Sequence, residues 1–149
     1  MKVQDLLTEK IRAVHTIAGN RSVDDAVNLM AIKKAGALIV TENERPVGIF
    51  TERDVFRFYL ADKTTPLSQT AVQDAMIAKR MTAKPEDEIS AVLAVMTTDD
   101  IRHMPVVEDN YIIGILTLDD LIAHQIESLT DEIQQLRDYI EDLHEAGRD

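Results

Sequence analysis

The sequence predicts an α+β fold: two β-α-β-β-α repeats, each with a short leading helix, packed face to face, plus a long C-terminal helix. Three observations predict it. The chain repeats itself. Val3-Gln4-Asp5 recurs as Val72-Gln73-Asp74, and from Thr16 onward an offset of 66 pairs Thr16 with Thr82, Met30 with Met96, Val40 with Val106, Gly48 with Gly114, Thr51 with Thr117 and Asp54 with Asp120. Both copies carry the same order of helical and extended segments. Behind the second copy, apolar residues recur at alternating steps of four and three. Two repeats are too few for a solenoid, so they are expected to bury their apolar faces on each other.

The elements follow in order. Residues 3–8 and 72–77 read as short helices, and 13–16 and 80–83 as brief extended segments. Ser22 followed by Asp25 resembles a capping box, with Ala26, Val27, Met30 and Ala31 behind it at helical spacing. Val92, Leu93 and Met96 mark the matching helix of the second copy, with a stop near Asp99-Asp100. Residues 37–41 and 47–50 are then expected as strands, as are 104–107 and 112–116, each pair joined by a polar turn of hairpin character. A final helix begins at Thr51 and again at Thr117. The polar stretch 61–69, containing Pro66, reads as a connection between the copies. The expected division is repeat 1 over 1–62, linker 63–71, repeat 2 over 72–125 and a helical tail over 126–149.

Composition narrows the function. The 149 residues are 45% apolar and 29% charged, enough for a packed core and too apolar for wholesale disorder. A net charge of −11 opposes general nucleic-acid binding, whose affinity comes mostly from neutralised phosphates, and opposes an anionic membrane surface. Ten of the 27 acidic residues lie in 119–149 against two basic ones, so the acidity belongs mostly to the tail and the body can still hold an anion. Cysteine is absent, which removes disulfides, thiolate nucleophiles and Cys-ligated metals and fits a cytoplasmic location. No apolar run approaches the ~18 residues of a membrane span.

Gly48-Ile49-Phe50-Thr51-Glu52-Arg53-Asp54 and Gly114-Ile115-Leu116-Thr117-Leu118-Asp119-Asp120 share the pattern Gly-h-x-Thr-x-x-Asp, h being apolar, at equivalent places in the repeat. Together with Ile101-Arg102-His103-Met104-Pro105-Val106-Val107, they make the chain, over about residues 1–126, resemble the CBS-domain pair, named after cystathionine β-synthase. The resemblance implies a regulatory module that binds an adenosine-containing ligand: AMP foremost, or ADP, ATP, NAD or S-adenosylmethionine. It also implies dimerisation into a flat disk of four repeats, with no cofactor required.

The residues allow that chemistry. The Gly lets the chain approach a ligand closely. Thr51 and Thr117 sit where a strand becomes a helix, and a helix N-terminus suits phosphate. Asp54 and Asp120 lie one turn in and can accept ribose hydroxyls. Thr with an acid three positions on is equally an ordinary helix cap, and the two readings can coexist. Arg53 and Arg57 support the first copy's site. Asp119 and Ala123 stand at the matching positions of the second, where Arg102 compensates. By resemblance, the base lies against Thr16, Ile17 and Ala18, or Thr82, Ala83 and Lys84. Ala37, Leu38 and Ile39, or Met104 and Pro105, form the wall, and His103 is a further nucleotide-binding candidate. Pro85 fits the family pattern and Gly19 departs from it. Arg80 stands where an apolar residue is usual.

In the tail, Ile126, Ile133 and Ile140 occupy heptad position a, and Leu129, Leu136 and Leu143 position d. Ile at a with Leu at d favours a parallel two-stranded coil and a homodimer. The alternative is an amphipathic helix lying on the module's own body. The acidic outer face suits a solubilising surface or the docking of a protein partner. No catalytic or metal-binding signature is present: no His-Glu-x-x-His, no Gly-x-Ser-x-Gly and no phosphate loop. The expectation is therefore a nucleotide sensor and not an enzyme, the alternative being a dimeric scaffold with vestigial sites.

Overall fold

The computed structural model describes residues 1–10, 15–77 and 81–147. In order, these form α1 (Val3–Lys10), β1 (Thr16–Ala18), α2 (Val23–Lys33), β2 (Ala37–Glu42), β3 (Arg45–Thr51), α3 (Glu52–Ala61), a 3₁₀ turn (Leu67–Gln69), α4 (Val72–Ala75), α5 (Ile89–Thr98), β4 (His103–Glu108), β5 (Tyr111–Thr117) and α6 (Leu118–Ala146). The expected extended segments 13–16 and 80–83 lie partly outside the described residues, as does Arg80.

The hairpins form because their two-residue turns accept left-handed backbone. Asn43 and Glu44 have φ of 52° and 66°, and Asp109 and Asn110 have 53° and 69°, the paired positive φ of a type I′ turn. Ala37 faces Thr51 across the first hairpin and His103 faces Thr117 across the second. Both hairpins carry an irregularity at the same place in the repeat, after Val40 and after Val106. The first copy gains a third strand, β1, pairing in parallel with β2. Among the described residues, the second copy keeps only a single parallel bridge, Ala83 to Val106.

Helix starts follow the side-chain chemistry. Ser22 Oγ accepts the Asp25 N–H at 3.0 Å. Thr51 and Thr117 cap α3 and α6 in the same way. The helix expected over 72–77 is shorter, ending at Ala75.

The leading helices cross over. Val3 and Leu6 of α1 are buried in the second repeat's core, with Ile89, Met96, Met104, Val106, Leu116 and Leu121. Val72 and Ala75 of α4 are buried in the first repeat's core, with Val23, Ala26, Leu38, Val40 and Phe50. Backbone bonds fix both crossings: Val3 N–H to Asp87 C=O at 2.9 Å, and Val72 N–H to Arg21 C=O at 2.8 Å. Each buried Val or Leu contributes roughly 1.5–3 kcal/mol, so each core is completed by the other repeat's leading helix.

The same crossing gives the motif glycines a packing role. A Cβ on Gly114 would sit 2.8 Å from Leu7 Cδ2, and one on Gly48 would sit 3.0 Å from Met76 Sδ. Neither glycine has a positive φ. They make room for side chains in or just beyond the crossed helices.

Helix α6 runs 29 residues without a break. At about 1.5 Å per residue that is roughly 43 Å. Beyond Leu121 its apolar stripe is uncovered: Ile126, Leu129, Ile133, Leu136, Ile140 and Leu143 are all between 48% and 61% exposed. The stripe therefore does not lie on the chain's own body.

Candidate functional site between the repeats

The two Gly-h-x-Thr-x-x-Asp stretches fold alike and end in different states. In the first, Thr51 and Asp54 are buried. Asp54 Oδ2 accepts the Thr51 N–H at 2.9 Å, and Thr51 Oγ1 accepts the Asp54 N–H at 3.3 Å, a complete capping box. Asp54 Oδ1 is ion-paired with Arg57, one turn further along α3. Burial and two partners occupy the carboxylate that a ribose would need.

In the second stretch, Thr117 and Asp120 are half-buried. Thr117 Oγ1 accepts the Asp120 N–H at 3.1 Å and keeps its own proton to donate. Ala123 stands where the first repeat has Arg57. Thr117 and Asp120 line a cavity of about 410 Å³, together with Arg102, His103, Leu118 and Asp119 from the second repeat and Gly36 and Glu52 from the first. That volume lies within the range of small-molecule pockets.

The cavity straddles the relation between the repeats, because Gly36 and Arg102, like Glu52 and Leu118, are 66 positions apart. A Cβ on Gly36 would meet the His103 ring at 3.2 Å and Glu52 Oε1 at 3.5 Å. The imidazole and the carboxylate thus share one wall, and Gly36 is the residue that admits both.

The helix end itself offers less to an anion than the sequence reading supposed. The Leu118 N–H donates to Arg102 C=O at 2.9 Å, and the Asp120 N–H is taken by Thr117 Oγ1. An anion here would be met chiefly by Arg102, His103 and the Thr117 hydroxyl.

The remaining expected site residues are distributed elsewhere. Thr16 and Ile17 line a second cavity of about 440 Å³, with Ala18, Arg21 and Asp25. Asp25 there is held below the usual carboxylate range, first by the hydrogen bond from Arg21. Thr82, Ala83 and Met104 line a third of about 420 Å³. Ile39, Met104 and Pro105 are buried, and Leu38 and Met104 belong to the two cores. Ala37 is half-buried opposite Thr51.

Arg53 does not face a phosphate seat of its own repeat. It crosses to the end of α5, donating from Nη1 to Asp100 C=O at 2.7 Å and pairing with the Asp100 carboxylate at 3.4 Å. A second contact joins the repeats, with the Arg45 guanidinium 5.8 Å from the centre of the Tyr111 ring. Positions 45 and 111 are again 66 apart.

Sequence reasoning missed Gly36, Glu52, Leu118 and Asp119 as cavity residues. The signal was available in the offset, since a two-fold-like repeat brings equivalent positions together along its axis. Among the described residues, no group of His, Asp and Glu is placed to hold a metal ion. No helix among them is long and apolar enough to cross a membrane.

The model of the family described as "CBS domain" matches residues 3–61 and 72–127. The CBS domain-containing protein CBSX3, mitochondrial, of Arabidopsis thaliana is 34% identical over 125 residues, covering 80% of this chain. The match spans 60% of that protein's own length. The crystal structure of a CBS domain, NE2398, superposes with a TM-score of 0.75 at 35% identity, over 85% of this chain and 98% of the other. CBSX2, solved in complex with AMP, shares the fold at a TM-score of 0.68 and 24% identity, over 85% of this chain and 96% of its own.

Proposed function

The chain belongs to the CBS-domain family, and from that premise we propose a regulatory, non-catalytic module that binds an adenine nucleotide between its two repeats. AMP is the foremost ligand; ADP, ATP, NAD and S-adenosylmethionine are the other candidates. The module is cytoplasmic in this reading and signals by conformational change within a homodimer.

One observation carries the proposal. Arg102, His103, Thr117 and Asp120 converge on a single cavity between the repeats. Arg102, His103 and the Thr117 hydroxyl are donors suited to a phosphate, and Asp120 is an acceptor suited to ribose hydroxyls. The base would extend toward Met104 and Pro105 of β4. CBSX2 in complex with AMP is consistent with a fold that can hold this ligand. The first repeat's seat, with Asp54 buried and paired, would open only if Arg57 let go of it.

Dimerisation belongs to the same reading. The exposed a/d stripe of α6 presents Ile and Leu in the pattern that favours a parallel two-stranded coil, and a second copy of the chain would cover it.

The test is thermal unfolding with each of the five ligands. A ligand at 100 times its Kd adds about 2.7 kcal/mol, several degrees for a chain of this size. We expect a shift with AMP that disappears in the Arg102→Ala, Asp120→Ala variant. A wild-type protein indifferent to all five would favour a second reading, a dimeric scaffold that binds a protein partner. The closed Thr51–Asp54 cap and the exposed tail support that alternative.

A further inference from the structure

We infer that the cavity between the repeats counts phosphates, and that Glu52 and Asp119 exclude a second and third phosphate from it. The inference rests on the nucleotide reading above and concerns which nucleotide the site takes.

The argument is the charge of the walls. Around about 410 Å³ stand three carboxylates, Glu52, Asp119 and Asp120, against one guanidinium, Arg102, and one imidazole, His103. A single phosphate, carrying about −1.5 to −2 at neutral pH, can be answered by Arg102, His103 and the Thr117 hydroxyl. Each further phosphate brings more negative charge and must lie along the remaining walls. Glu52 Oε1 shares the Gly36 wall with the His103 ring, which sets a carboxylate beside the imidazole. Asp119 lies in the first turn of α6, two residues from Thr117 and on the cavity lining. Glu52 and Asp119 are exposed at the rim of the cavity, so the repulsion acts on whatever extends outward past the first phosphate and is partly screened by water and salt.

Two cations of the first repeat that could offset this repulsion are committed elsewhere. Arg53 is drawn to Asp100 by its main-chain oxygen and its carboxylate, and Arg57 to Asp54. The second repeat has Asp119 at the position of Arg53, so the site that is open is also the one where the repeat exchanged a cation for an acid. Asp120, which would face the ribose, is shared by every candidate nucleotide. Discrimination therefore falls to Glu52 and Asp119.

The experiment is calorimetric titration of the full chain with AMP, ADP and ATP, once with a chelator and once with magnesium. Wild type is expected to bind AMP at least tenfold more tightly than ATP under both conditions, with ADP between. Glu52→Gln with Asp119→Asn keeps the size of both side chains and should narrow that ratio at least threefold, chiefly by tightening ATP. ATP or magnesium–ATP binding as tightly as AMP to wild type would overturn the inference while leaving the nucleotide reading intact. So would a variant that weakens all three ligands equally, because Glu52 and Asp119 would then be binding residues and not excluders. Binding of none of the three by a folded wild type would overturn the inference together with the nucleotide reading on which it rests.

Discussion

The same substitution at two equivalent positions, Asp54→Ala and Asp120→Ala, should have unequal effects on stability. Asp54 is fully buried, and its carboxylate accepts the Thr51 N–H at 2.9 Å. Alanine leaves that N–H buried without a partner, a cost of about 1–3 kcal/mol. Arg57 loses its ion pair, but its side chain is 49% exposed and returns to water, so this part is under about 1 kcal/mol. The Asp54 N–H to Thr51 Oγ1 bond survives, because its donor is backbone. The total is about 1–4 kcal/mol, centred on ~2.5, or roughly 5–10 °C in Tm for a chain of this length. Asp120 is half-buried, and its N–H likewise keeps Thr117 Oγ1. Groups that alanine leaves behind at this half-buried position can be met by water, so the cost is expected to be smaller, about 0.3–1 kcal/mol, or less than ~4 °C. Thermal unfolding followed by far-ultraviolet circular dichroism at equal protein concentration measures both. Asp54→Asn, which can still accept the Thr51 N–H, should recover much of the loss. Equal Tm shifts for the two alanine variants, or a larger one for Asp120→Ala, would refute the view that the first seat is a structural cap and the second an open site.

Two further outcomes follow from the geometry. Asp62 accepts hydrogen bonds from the hydroxyls and N–H groups of Thr65 and Thr64, the Thr65 hydroxyl foremost, and they hold its carboxyl well below the usual carboxylate range. The folded value lies below the unfolded one of about 4, so the stabilisation is complete above that pH and is lost as pH falls toward the folded value. The Tm difference between wild type and Asp62→Ala should stay constant down to about pH 5 and shrink below about pH 4; a difference that persists undiminished in stronger acid would contradict this origin. In the tail, wild type should sediment as a dimer at micromolar concentration, and Leu129→Asp with Leu136→Asp should shift it toward monomer. A monomeric wild type would remove the role assigned to the α6 stripe.

Much of this was legible from particular residues. Ser22, Thr51 and Thr117 announced helix starts because a hydroxyl at that place satisfies an N–H that the helix leaves over. The polar pairs Asn43-Glu44 and Asp109-Asn110 lay inside the turns expected between strands. The heptads of the tail showed an apolar stripe, and its exposure shows that the body does not cover it. Other features were not legible. The apolar residues of 3–8 and 72–77 show that those helices must be buried but not by which repeat, since either core offers the same kind of surface. That the glycines of the motif also make room for Leu7 and Met76 depends on where a distant segment crosses.

What the sequence determined by itself is what near neighbours and periodicity encode: the repeat, the order of elements, the caps, the heptads and the family. The tertiary structure decided which of two nearly identical motifs is closed and which is open. That difference rests on one local ion pair and on contacts between the repeats. Arg57 is drawn onto Asp54 at the first motif, Arg53 is taken across to Asp100, and Gly36 and Glu52 are brought against His103 and Thr117 at the second. Charges and cavities are set by distance in space. A pattern that repeats every 66 residues fixes which positions are equivalent, but not which of them meet a partner.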